Sequence, residues 1–105
     1  MKDFINIKIN LNSFIDYAKD SVVSKTFYKS ERVILTIFAL DKGQSIAEHI
    51  TPFDAFVQVI DGEAELIIGS EKKLLKTGES IIMPANIPHA LFARNEYKML
   101  LTMMK

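Results

Sequence analysis

Every glycine and every proline in the chain falls at a break between short apolar runs, and this placement restricts the fold more than any other feature. Glycines 43, 62, 69 and 78 and prolines 52, 84 and 88 sit where a positive φ or a missing N–H does least harm to a strand. Between these breaks, strands are predicted at roughly 22–29, 31–40, 46–51, 54–61, 63–69, 72–76, 80–83, 88–94 and 96–104. Asp61-Gly62 reads as a tight hairpin turn, because both residues tolerate positive φ, and Gly69-Ser70 reads as a second turn. Near the start, "INIKINL" alternates Ile5, Ile7, Ile9 and Leu11 with Asn6, Lys8 and Asn10, which is strand period. Residues 1–20 are therefore expected to form an N-terminal strand and turn region, with "SFIDYAKDS" supplying a turn or two of helix. Many short strands without a long helix predict an all-β sandwich or barrel.

One strand stands apart. "VILTIFAL", residues 33–40, is apolar on both faces, so it lies either between two layers or in a subunit contact. A chain of 105 residues is the size of one domain, with a core that is adequate but gains from a partner subunit. A homodimer is therefore expected. Thirteen Lys/Arg balance thirteen Asp/Glu, scattered along the chain, which leaves no basic face for nucleic acid or anionic lipid. No apolar stretch is long enough to cross a bilayer as a helix. The opening "MKDFINIKIN" lacks the apolar core of a signal peptide. The absence of cysteine removes disulfides, thiolate nucleophiles and Cys-ligated zinc, and is compatible with the reducing cytoplasm expected here. The isolated glycines build neither a phosphate loop nor a nucleophile elbow, so neither NTP hydrolysis nor a serine hydrolase is supported.

The chain has two histidines, and both are framed by glycines. Gly43, five residues, His49-Ile50-Thr51, three residues, Ala55, six residues, Gly62 forms one series, over 43–62. Gly78, five residues, Pro84-Ala85-Asn86, two residues, His89, three residues, Ala93 forms a second, over 78–93. Together they resemble the two motifs of the cupin superfamily, with every glycine and proline anchor at its spacing except one glycine, replaced by Asn86. Asparagine enters the left-handed region more readily than other non-glycine residues, so that exchange is mild. The resemblance implies one cupin domain over 1–105: an antiparallel β-barrel of the double-stranded β-helix, or jelly-roll, type.

In metal-binding cupins the first motif's two histidines and glutamate, with the second motif's histidine, hold a divalent ion. The resemblance carries His49 and His89 over as ligands, but Thr51 stands where the second histidine would be and Ala55 where the glutamate would be. Glu48 alternates to the opposite face from His49, and Asp54 is a possible third ligand only if the Thr51-Pro52 break shifts the strand register. Three readings stay open: zinc, nickel, manganese or iron held by two histidines and water, a metal-free pocket lined by both, or histidines that only brace the scaffold. No cofactor is expected beyond such a divalent ion. If the mapping holds, the ring nitrogens of His49 and His89 approach within about 3–8 Å. The ligand-binding candidates are His49, His89, Thr51, Met83 and Phe92, with Ile81 nearby. The best reading is a barrel that binds a small molecule, with weak or no metal affinity and no assignable reaction. The alternatives are a metal-dependent isomerase, dioxygenase or decarboxylase using His49 and His89, and a stand-alone sensor or dimerisation module.

Overall fold

The computed structural model describes residues 3–105, so Met1 and Lys2, which open the 1–20 region, lie outside it. Eight strands account for its regular structure: β1 (Val22–Lys29), β2 (Val33–Leu40), β3 (Ser45–His49), β4 (Asp54–Ile68), β5 (Glu71–Lys76), β6 (Ser80–Met83), β7 (His89–Phe92) and β8 (Tyr97–Met104). All pairings are antiparallel. The strand order is β1-β2-β8-β4-β7-β3, with β5 and β6 also pairing with β4. The long strand β4 joins the two halves. Its first part pairs with β8 and β6, and its second part pairs with β5 and β7. The result is two curled sheets closed over a common interior, a jelly-roll barrel.

Asp61-Gly62 makes no hairpin. Both residues lie inside β4, which runs unbroken for 15 residues where two strands were expected. They follow an irregularity in the β4–β8 ladder between Val59 and Asp61, and Gly62 takes φ +81° opposite Tyr97. A bulge in a long strand needs the same backbone freedom as a hairpin turn, so the dipeptide signals both alike. What decides is the distant partner, β8, which continues across the bend. Gly69-Ser70, in contrast, does connect the paired strands β4 and β5.

Alternation divides the apolar residues between two cores. The inward positions of β2, β4 and β8 (Leu40, Ala55, Val57, Val59, Tyr97 and Met99 among them) fill the barrel with Leu66, Leu75, Met83 and Leu91. The opposite positions of the same strands face outward. There Ile37 and Ala39, both fully buried, join Phe27 and Ile15 in a second cluster roofed by Phe4, Ile9, Leu11, Phe14 and Tyr17. Phe4, Phe14 and Phe27 meet edge-on, with centroids 5.2–6.5 Å apart. Strand β2 is thus sandwiched within its own chain, and its two-sided apolarity gives no ground for a subunit contact.

That roof corrects the expected N-terminal strand and helix: residues 3–20 hold turns and irregular backbone. Ile5 and Ile7 are exposed, while Ile9 and Leu11 pack inward. The alternation is real, but it covers a sheet face instead of extending a sheet edge. Two polar anchors hold the segment. The Tyr17 hydroxyl donates to Asp61 Oδ2 at 2.7 Å, and the buried Lys98 ammonium donates to Asn12 O at 2.5 Å and Asn12 Oδ1 at 3.2 Å. Burial, and next the Asp61 carboxylate, push the Tyr17 phenol above its ordinary range, so it stays a donor. Inside β2, the buried Thr36 hydroxyl is satisfied by Thr26 on β1 at 2.9 Å.

Candidate functional site

The two histidines arrive on paired strands. His49 ends β3 and His89 begins β7, and they are register partners across the ladder. Their rings meet edge to face with centroids 4.2 Å apart, so the structure brings together the two residues that the spacing singled out. An irregularity between Ile46 and His49 turns the end of β3, so that Ile46 and His49 both reach the interior despite their odd separation. The loop before β7 is set by Asn86, which occupies φ +64° where the motif has glycine, and whose N–H donates to Thr51 O at 2.8 Å.

Each imidazole is fixed through Nδ1. His49 Nδ1 lies 2.9 Å from Ala47 O, and His89 Nδ1 lies 3.3 Å from Ile87 O. A carbonyl oxygen can only accept, so Nδ1 carries a proton in both rings, and in a neutral ring Nε2 is the nitrogen left with the lone pair. Burial, and then the proximity of His49, lower the pKa of His89 below the ordinary imidazole range, against the opposing pull of Ile87 O. At neutral pH its Nε2 is therefore an acceptor. It is 3 % exposed, whereas His49 stands at the mouth.

The histidines cap a cavity of about 110 Å³ whose wall is almost entirely apolar. Thr51, Ala55 and Met83 line it, together with Phe38, Ile46, Leu91, Met99, Leu101 and Met103. The last six escaped the sequence reading. Most belong to the inward parity of β2, β7 and β8, a signal that becomes usable only once the pairing of those strands is known. Phe92 is not part of the wall: it follows the inward Leu91 in β7, points outward and is 38 % exposed. Ile81 packs against the barrel core but does not line the cavity.

Does this site fit the divalent ion that its motifs imply? Thr51 lines the wall, its Oγ1 accepting from Phe53 N–H at 3.2 Å, and Ala55 is buried without a donor. Asp54 is turned away: its Oδ1 accepts from Ala85 N–H at 2.8 Å, so it braces the loop before Asn86. Among the described residues, no three His, Cys, Asp or Glu side chains form a metal-holding group. Two imidazoles without a carboxylate do not make a catalytic divalent centre, which ordinarily has three protein ligands. A groove of about 320 Å³ lies along β4 and β5, where Glu65 is ion-paired with Lys72 at 2.5 Å and Arg94 at 3.4 Å. Chiefly the Lys72 hydrogen bond holds the Glu65 carboxyl below its usual range. That is a satisfied surface network.

No curated protein matches the chain. Among solved structures, it superposes with a TM-score of 0.89 on a conserved protein of unknown function from Streptococcus pyogenes, at 38% identity, covering 93% of this chain and 86% of that one. The same TM-score is reached with a Cupin 2 conserved barrel domain protein from Leptotrichia buccalis, at 37% identity, over 92% of this chain but only 47% of that one. A polyketide cyclase from Streptomyces resistomycificus shares the fold at a TM-score of 0.72 and 18% identity, covering 82% of this chain and 66% of that one. No helix among the described residues is long and apolar enough to cross a membrane. The cupin domain family model matches residues 36–104, which takes in most of β2, all of β3 to β8 and both histidine-bearing segments, and the chain belongs to that family.

Proposed function

We propose that the barrel binds one small, neutral, largely apolar molecule that donates a hydrogen bond to the histidine pair. The observation that carries this is that two imidazoles, each with Nδ1 engaged by a backbone carbonyl, line an otherwise apolar cavity of about 110 Å³. A cavity of roughly this size takes a single five- or six-membered ring. No Lys, Arg, Asp or Glu lines it, so a carboxylate, phosphate or ammonium ligand would enter without a counter-charge. A donor such as a hydroxyl would satisfy the imidazoles, and the methionine and leucine side chains would cover the ring. No reaction is assigned: an enzyme would need a third ligand or an acid–base partner beside the histidines. The cysteine-free chain suits the cytoplasm as its setting.

Phenol is the direct probe, with anisole and benzoate as controls. Phenol should bind saturably, with a Kd on the order of 0.1–1 mM for so small a ligand. Anisole, which cannot donate, should bind several-fold more weakly, and benzoate should not bind. Equal binding of all three would contradict the proposal. Acidification should weaken phenol binding, because a proton on Nε2 removes the acceptor, and the lowered pKa of His89 places its share of that loss below the ordinary imidazole range.

Assembly as a homodimer belongs to the same proposal. Its support is the part of the first sheet's outer face that the N-terminal roof leaves open, where Ile82 is 57% exposed directly opposite the half-buried Phe56. Sedimentation velocity at tens of micromolar should show a dimer that Ile82→Glu dissociates. A monomeric parent protein would remove this part of the proposal.

A further inference from the structure

The mismatch with a divalent centre has a second side, because the cavity is not poor in metal donors of every kind. Ala55, in the place of the missing carboxylate, pairs in register with Met83 on β6 and with Met103 on β8. All three line the cavity. Cross-strand neighbours of this kind have Cβ atoms about 4.5–5.5 Å apart, so two flexible thioethers flank the gap above the small alanine. Met99 pairs with Val59, four residues along β4 from Ala55, which puts it about 13 Å deeper. His49 and His89 line the same cavity, each with Nδ1 against a backbone carbonyl, the arrangement that metal-ligating imidazoles usually have.

Met83 and Met103 supply two soft thioethers and the imidazoles supply nitrogen, and no carboxylate lines the cavity. A divalent ion entering an apolar site needs anionic ligands to offset its dehydration, whereas a singly charged soft ion is far cheaper to desolvate. Thioether and imidazole together suit Cu(I) among the biological metals. We propose that Met83, Met103, His49 and His89 form a Cu(I) site at the mouth of the barrel. This goes beyond the small-molecule reading but uses the same cavity, so Cu(I) and phenol exclude one another.

The test is anaerobic titration of the purified protein with Cu(I) against a chromophoric Cu(I) chelator. One Cu(I) per chain should be withheld from the chelator, with both sulfur and nitrogen neighbours in the copper X-ray absorption spectrum. Met83→Leu with Met103→Leu, a swap that nearly conserves volume, should weaken retention by roughly a hundredfold, about tenfold per thioether lost. Should that variant fail to fold, Ag(I) added to the parent protein serves as a redox-inert probe, and the methyl resonances of Met83 and Met103 should move while that of Met99 stays. Copper released in full to the chelator, a spectrum without sulfur, equal retention by the double variant, or Ag(I) shifts confined to other methionines would each overturn the proposal. Phenol binding is measured without metal, so the failure of one reading leaves the other intact.

Discussion

Thr51→His combined with Ala55→Glu should turn a chain that loses zinc, nickel, manganese and iron on dialysis into one that keeps a stoichiometric divalent ion. The parent protein presents two imidazoles and no carboxylate, so an ion there would rely on water for most of its shell, with no negative charge offsetting its dehydration. Both substituted positions already line the cavity beside His49 and His89. The change therefore supplies a third imidazole and one carboxylate where they can converge. A gain in affinity of roughly a thousandfold or more is expected, which corresponds to about 4 kcal/mol. Elemental analysis after exhaustive dialysis, with no chelator present, reads both proteins. Each single substitution should gain less than the pair, because neither completes the set. A parent protein that retains a tightly held divalent ion would contradict the account.

Gly62→Ala should be among the most destabilising single substitutions in the chain, and a paired control separates its two causes. A methyl group at Gly62 would overlap the Glu96 carbonyl oxygen and lie 3.0 Å from Tyr97 Cα and Cβ. Backbone atoms cannot step aside as a side-chain tip does. The positive φ of +81° adds its own strain to any residue with a Cβ. At Gly43 φ is +85°, yet nothing lies within 4 Å of the added methyl. Gly43→Ala should cost about 1–2 kcal/mol from φ alone. Gly62→Ala should cost about 3–5 kcal/mol, because the bend joining the two halves of β4 must shift against β8. Urea unfolding at equilibrium measures both. Equal losses would mean that the close approach to β8 carries no energy.

The two glycines also differ in how far the residue order alone dictates their roles. Gly43, Gly78 and Asn86 take the positive φ that their motif positions implied, and the resemblance carried by those motifs placed His49 against His89. Such requirements are local, or repeat at fixed intervals, and so leave a mark in the residue order. Asp61-Gly62 was misread as a hairpin because its role depends on β8, some 35 residues away, which no local signal reports. The N-terminal alternation was misread for a similar reason. Ile9 and Leu11 bury one side of the segment against a sheet face, and a periodicity of two is the same whether backbone or side chains meet the sheet. At the site, the polar candidates were legible and most of the wall was not. Phe92 and Leu91 differ by one position in β7, and that one-residue parity decides which of them faces the cavity. Met99 and Met103 became visible as lining residues only through the pairing of β8 with β4.

If His49 and His89 form the polar end of a small-molecule cavity, their imidazole nitrogens report on it directly. In ¹⁵N spectra at neutral pH, His89 should appear as the neutral Nδ1–H tautomer, with an unprotonated Nε2. As phenol is added, the Nε2 resonances of His49 and His89 should shift together and saturate at one ligand per chain, while Nδ1 stays bonded to its carbonyl. Phenol shifts confined to outward residues such as Phe92 and Leu74, with both Nε2 signals unmoved, would contradict that role for the pair.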